Sequence, residues 1–321
     1  MVKNRFVVTP PERRVVAVVS VYRPGRDVVD NVAEIVEQVD HVIVVDDGSG
    51  DGFEQVFAEI SAAGARLVML PENSGIAAAL NSGIDSADLT AADVVVTFDQ
   101  DSSLPQGFVA RLLEALRQSE DAGLSVGIVA PATFAGVDQT GAEVAPGVPE
   151  ALRPIQSGML ITGSTLERIG TFDEGLFIDL VDVEFYLRVL AAGLTSVAAP
   201  GLDLPHELGH FQSMSVFGRR VSTTLSTPFR YYYRARNRAI VTRRYRKIAG
   251  DLLRRERDRD IAHFVVAVAF ARPRRALFTV LRRGWRDGRR GTGGRIPSDL
   301  NDIAASVSWR GQRIERPRLT A

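Results

Sequence analysis

Residues 94–103 read VVVTFDQDSS, an apolar run that ends in two carboxylates, Asp99 and Asp101, two positions apart. Side chains two apart in an extended chain point the same way. Bare carboxylates that close repel, and one of them tends to hold its proton. A hard divalent cation, Mg²⁺ or Mn²⁺, relieves the repulsion through oxygen ligands; the alternative is a pair of acids capping the next helix. A second apolar run, HVIVVDD (41–47), ends in Asp46 and Asp47, and a carboxylate can accept a hydrogen bond from a pyrimidine N–H. In SGIAAALNSGID (74–85) small residues open a helix. Backbone can approach an anion there, and a helix N-terminus attracts phosphate oxygens; the small residues would equally allow close helix–sheet packing.

If the leaving group is a diphosphate and the acceptor an alcohol, a base is also needed, because an alcohol's pKa lies far above neutrality. FIDLVDVEFYLR (177–188) offers Asp179, Asp182 and Glu184. On a helix Asp179 and Asp182 share a face while Glu184 points elsewhere; acids also suit a first helical turn for its dipole alone. His206 and His210 in LPHELGH lie four apart, the spacing of a metal pair on a helix, but Pro205 and Gly209 favour a loop. Arg234, Arg236 and Arg238 follow three tyrosines. Guanidiniums grip diphosphates bidentately, or they belong to a solvated basic helix.

The elements that must position these groups alternate between two hydrophobic periods. Short β-branched runs at 14–21, 41–47, 66–70, 93–99 and 126–131 read as buried strands. Between them lie helical patterns: Val28, Val32, Ile35 and Val36 after a capping Asp27; Phe53, Val56, Phe57 and Ile60 after an Asp51/Glu54 capping box; residues 74–87; and Phe108, Leu112, Leu113 and Leu116 after Pro105. Repeated β-α-β units predict an α/β fold with a mostly parallel sheet flanked by helices. Ligands of such sheets sit beyond the carboxyl ends of the strands, where all four aspartates fall. No G-x-G-x-x-G follows the first strand and no P-loop occurs, which argues against nicotinamide and P-loop chemistry.

The chain has 321 residues and no cysteine, which excludes disulfides, thiolate metal sites and a thiol nucleophile. The first residues lack an apolar signal core, so the expected location is the cytoplasm. A formal charge of zero hides a division: residues 1–227 hold 14 Lys+Arg against 31 Asp+Glu, residues 228–290 hold 20 against 5. The apolar run 261–271 is too short to span a bilayer. With the arginine-rich segment after it, it resembles an interfacial helix pair on an anionic membrane surface, at the inner face of the plasma membrane; the competing reading is a homo-oligomer interface. Nucleic-acid binding is not expected, since no recognition motif accompanies the charge.

Together VVSVYRPG, VIVVDDGSGDG, PENSGIAAALNSGID and FDQDS resemble the family 2 glycosyltransferases of the GT-A fold, and most closely the bacterial branch that uses dTDP-rhamnose. SGMLIT (157–162), GTFDEGLFIDLVDVEFYLRVLAAG (170–193), PHELG (205–209) and YYYRARNRAIV (231–241) follow in the family's order, so the resemblance covers residues 14–245. It implies a GT-A domain over 1–245, with a nucleotide-binding half (14–131) and an acceptor and catalytic half (132–245), then a basic helical appendage at 246–321. The implied reaction is inverting transfer of L-rhamnose from dTDP-β-L-rhamnose to a hydroxyl of a surface glycan or polyprenyl-linked saccharide. A UDP-sugar donor, another hexose, or a non-catalytic sugar-nucleotide-binding subunit are the alternatives. The resemblance further implies that Asp46 and Asp47 contact base and ribose, that Asn73, Gly75 and Asn81 form the N-x-G…N-x-G segment, and that Asp99 and Gln100 meet the donor. Asp99 and Asp101 would hold Mg²⁺ or Mn²⁺, with His206 completing the shell. Asp182 takes the base position, although Val181 replaces the family's usual Glu before it. Ser157, Gly158, Asp179, Glu184 and Arg234 fall on the acceptor or sugar side.

Overall fold

The computed structural model describes residues 13–205, 210–216 and 219–314. The assignment of a metal ligand to His206 lies outside the described residues. Strands and helices alternate as β1 (Val15–Val21), α1 (Asp27–Val36), β2 (His41–Asp46), α2 (Glu54–Ala62), β3 (Arg66–Met69), α3 (Ile76–Ser86), β4 (Val94–Asp99), α4 (Phe108–Asp121) and β5 (Val126–Phe134). Two expected caps are not used. Asp27 is itself the first helical residue, behind Arg26, and α2 starts at Glu54 without a side-chain cap. The chain is still turning through Gly50 and Gly52 at positive φ, so Asp51 lies too early, and Glu54 instead accepts the Gly52 N–H at 3.1 Å.

After β5 come β6 (Val137–Asp138), β7 (Thr140–Ala145), β8 (Val148–Ala151), β9 (Met159–Thr162), α5 (Gly163–Ile169), α6 (Val181–Ala191) and β10 (Thr195–Leu204). The ten-stranded sheet runs β3-β2-β1-β4-β9-β5-β10-β8-β7, with β6 on β5. Strands β1 to β4 are mutually parallel, while β9 enters antiparallel between β4 and β5. The ends of β1, β2 and β4 therefore share one rim.

Every residue of β1 is buried, and its two faces sort into separate cores, as a strand's period of two requires. Val15, Ala17, Val19 and Val21 pack with Ile35 of α1, Ile60 of α2 and Leu112 of α4. Val16 and Val18 pack with Leu80 of α3 and Phe185 of α6.

The chain continues through the hairpin β11 (His210–Val216) and β12 (Arg219–Leu225) into α7 (Arg230–Tyr245), α8 (Gly250–Phe270), α9 (Arg274–Arg290) and α10 (Ser298–Ala305). A third core joins Tyr231, Tyr232 and Tyr233 of α7 to Phe270 of α8, Leu277 and Val280 of α9 and Leu300 of α10. Residue 245 ends α7, yet this core is built from both sides of it, and Leu253 of α8 enters the second core. The seam between α7 and α9 is tight because Gly284 and Gly288 lie one turn apart on a single face. A Cβ at either would strike the carbonyl oxygen of Tyr232 or Arg236.

Candidate active site

Strand β4 delivers Asp99 to the rim, and its neighbours fix the turn that follows. The Asp99 carboxylate accepts from Gln156 Nε2, and its N–H donates to Ser157 Oγ at 3.2 Å. Ser157 is fully buried and also bonds Ser102 Oγ at 2.6 Å. Gln100 ties the turn to β1, accepting from the Tyr22 N–H at 2.8 Å through Oε1 and from Asn31 Nδ2 at 3.0 Å through its carbonyl. Burial pushes the Asp99 carboxyl up to about 7, and the negative charges of Asp101 and Asp182 push the same way. The charge of Asp101 thus disfavours ionisation of Asp99, a penalty that a cation held by both would relieve. Among the described residues no group of three or more His, Asp or Glu forms a metal cage. Mg²⁺ commonly binds one or two carboxylates and fills its shell from phosphate and water, so Asp99 and Asp101 fit as donors.

On the β2 side, Asp47 accepts the N–H groups of Ser74 at 2.6 Å and Gly75 at 3.0 Å, locking the mouth of α3. Desolvation raises its pKa against those two bonds. Gly75 has φ 94° and ψ 160°, a region essentially reserved for glycine. A Cβ there would lie 2.5 Å from the Phe177 carbonyl oxygen.

Phe177 opens the segment that leads into α6, and Phe177, Asp179 and Leu180 all have positive φ (63°, 65° and 61°). Such conformations cost roughly 1–3 kcal/mol each and persist only where surroundings over-determine them. Here α7 does so. Asn237 Nδ2 donates to the carbonyls of Leu176, Ile178 and Asp179 at 2.9, 2.8 and 2.7 Å. Arg236, fully buried, donates to Gly175 and Leu176 at 3.0 and 2.8 Å and to the carbonyl of Gly294. The strained segment sets Asp182 in the first turn of α6, where its carboxylate accepts the Val183 N–H at 2.7 Å. Burial pushes its pKa up to about 6, and the neighbouring Asp179 charge adds to the rise. A carboxylate near pH 6 is a suitable proton acceptor at neutral pH.

A cleft of about 1050 Å³ is lined by Asp47, Asn73, Gly75, Asp99, Gln100 and Asp101, among others; Asp179 and Asp182 lie outside this lining, to which their segment contributes Phe177 and Ile178. Three arginines missed in the sequence, Arg23, Arg230 and Arg295, also line the cleft. Arg230, at the start of α7, pairs bidentately with Asp179 at 2.7 and 3.2 Å, and that charge raises its pKa. It sits one turn before Arg234, so the basic run was signal enough for the region but not for the residue. Arg295 borders the cleft beside Asp47 and lies 3.9 Å from Glu72. The segment carrying it is pinned by the Gly294 N–H on Gly175 (2.7 Å) and the Ile296 N–H on Tyr233 Oη (2.8 Å). The Tyr233 ring stacks on Phe177 at 4.9 Å. No local pattern announces Arg295, because only the tertiary path brings it there.

Other expected residues face elsewhere. Arg234 pairs with buried Asp260 of α8 at 2.6 Å, so it belongs to the α7–α8 seam rather than the cleft. Asn81 holds Phe172 and Glu174 at 2.9 Å, and Glu184 is buried among Arg188, Arg244 and Tyr245. Asp46 bonds Ser49 within its own turn, and Ser157 and Gly158 lie behind the Asp99 turn. These six shape the site from outside the cleft wall.

The sheet, with its acidic rim and cleft, has the arrangement of the GT-A fold. Residues 17–141 match the model of "Glycosyl transferase family 2". The chain is 28% identical over 241 residues, 71% of its length and 79% of the relative's, to a dTDP-rhamnosyl transferase, RfbF, of Shigella flexneri. Its fold is similar to GalNAc-T7 crystallised with UDP, GalNAc and Mn²⁺ (TM-score 0.50, 13% identity, 72% of this chain), of whose length the match spans about half, 48%. A glucosyl-3-phosphoglycerate synthase from Mycobacterium tuberculosis in complex with Mg²⁺ and UDP aligns at TM-score 0.48 and 18% identity, over 73% of this chain and 80% of that one. Residues 17–141 thus resemble the family 2 glycosyltransferases, and the particular protein the chain is similar to is a dTDP-rhamnosyl transferase.

Proposed function

We propose that the protein transfers L-rhamnose, with inversion, from a dTDP donor to a hydroxyl of a glycan or polyprenyl-linked saccharide. The observation that carries the reading is the juxtaposition of Asp182, its carboxyl raised to about 6 by burial, with Asp99, whose ionisation the charges of Asp101 and Asp182 oppose. Asp47 and Asn73 border the nucleotide end of the cleft, and Arg230 and Arg295 bring positive charge to its walls. Asp99 and Asp101 would hold a Mg²⁺ or Mn²⁺ ion, which supplies charge neutralisation for the departing diphosphate. Asp182 takes the acceptor's proton as its oxygen attacks the anomeric carbon opposite the leaving group, and no covalent enzyme intermediate is needed. The 28% identity to a dTDP-rhamnosyl transferase supports rhamnose as the sugar.

The test combines two variants with a donor screen. Asp182→Asn should bind donor normally and lose transfer, whereas Asp101→Ala should lose the Mn²⁺-dependent part of donor binding. Thermal shifts with dTDP- and UDP-sugars, with and without Mn²⁺, report base and metal together. Full turnover by Asp182→Asn would overturn the assignment of the base, and stabilisation by UDP-sugars alone would overturn the donor.

A further inference from the structure

One face of α9 has no partner among the described residues. Its buried side, Leu277, Val280, Gly284 and Asp287, packs on α7. About a third of a turn round the helix from it lie Phe278 (59% exposed) and Trp285 (53% exposed), seven residues apart. At 100° per residue they fall within about 20° of each other, with Arg282 and Arg289 within about 40° of Phe278. Large apolar rings on the water side of a helix need a reason.

The charge around them suggests what the face meets. The helix carries seven arginines and one acid, and that acid, Asp287, is buried and already held by Tyr232 and Arg283. Arg275, Arg282, Arg286 and Arg290 are exposed and make no ion pair with any described residue. Arg289 lies over the Trp285 ring at 4.8 Å, which keeps its charge beside the apolar stripe. On a protein–protein face, neighbouring acids would be expected to answer such charge; seven arginines interleaved with Phe and Trp match the composition of an interfacial helix. No helix of the described residues is long and apolar enough to cross a membrane, so contact would be from one side only.

We infer that the exposed face of α9 docks the protein on an anionic lipid surface, Phe278 and Trp285 entering the headgroup layer and the arginines pairing with lipid phosphates. The inference goes beyond the transfer chemistry and does not depend on it. Its consequence for the site is positional: the chain leaves α9 at Gly291 and reaches the cleft wall at Arg295. Docking through α9 therefore holds the cleft within a few residues' reach of the lipid, where a polyprenyl-linked acceptor would be presented.

Binding of the full chain to vesicles tests this without donor or acceptor. With a Trp309→Phe background, Trp285 fluorescence should shift to the blue on vesicles containing phosphatidylglycerol and stay unchanged on pure phosphatidylcholine. Affinity should fall about fivefold for Arg282→Gln or Arg286→Gln and about 25-fold for the pair, and fall steeply between 0.1 and 0.5 M salt. Phe278→Ser/Trp285→Ser, judged by sedimentation, should abolish binding while transfer to a water-soluble acceptor is retained. Equal binding to neutral vesicles, or no loss in these variants, overturns the proposal. So does a chain that self-associates or captures RNA through this face while ignoring anionic vesicles.

Discussion

Replacing Asn237 with Ala should uncouple catalysis from donor binding. Its side-chain amide is fully buried, and its two N–H groups serve three carbonyls of the segment 176–179. Losing two such donors costs about 1 kcal/mol each, and carbonyls left without partners add to it, for a total of about 2 to 4 kcal/mol. For a domain of this size, that corresponds to a drop in Tm of roughly 5–10 °C. The catalytic effect follows from where the strain sits. Without the amide, Asp179 and Leu180 can leave positive φ, and the first turn of α6 with Asp182 shifts with them. A displacement of the base by about an ångström is enough for on the order of a hundredfold in rate. Asp47 and Asp99 are held by other bonds, so donor affinity should change by no more than about twofold. Single-turnover transfer, isothermal titration with dTDP-sugar and thermal melts measure the three quantities. An Asn237→Ala protein that melts several degrees lower yet turns over at the normal rate would refute the claim that this amide positions the base. Equal losses in kcat and donor affinity would point to general loosening instead.

Gly75→Ala should cost at least about 2 kcal/mol of stability, since the residue must keep φ 94° against the Phe177 carbonyl; urea melts read it, and donor affinity should fall with it. Asp182→Asn should gain stability relative to the parent as pH rises. The folded carboxyl is raised to about 6 from 3.8, so its favourable contribution is complete below about pH 4 and lost above 6. Paired melts at pH 4.5 and 7.5 check the sign. Arg295→Ala should weaken donor binding about tenfold with little change in kcat, because its guanidinium borders the nucleotide side of the cleft. Replacing His263 by Phe should narrow the stability gap to the parent as pH falls below 6.5. Burial holds the folded imidazole's pKa down, so the unfolded chain takes the proton first.

The parallel half of the fold was legible because β1, β2 and β4 are nearly pure β-branched runs, and because acids at their carboxyl ends mark the rim. Spacing alone could not tell which polar residues face a ligand and which serve packing. Asn81 and Glu184 occupy motif positions, but each is buried against a loop or helix far away in sequence. The YYYRARNR run illustrates the same limit. Its arginines suit a diphosphate by type and spacing, yet Arg234 and Arg238 answer Asp260 on α8, and Arg236 answers backbone carbonyls at 175, 176 and 294. Those partners are set by how α7 to α10 pack. Local periodicity carries no information about that.

Arg236 and Tyr233 fasten the stretch around 294–296 to the middle of the molecule. One wall of the cleft is therefore made by residues that leave the ribosome only after α9. A nascent chain that has emerged only as far as α8 already possesses the acidic rim and Asp182, but its cleft stands open to water on the side that Arg295 will close. Until that stretch has joined α7, the growing chain lacks a closed cleft.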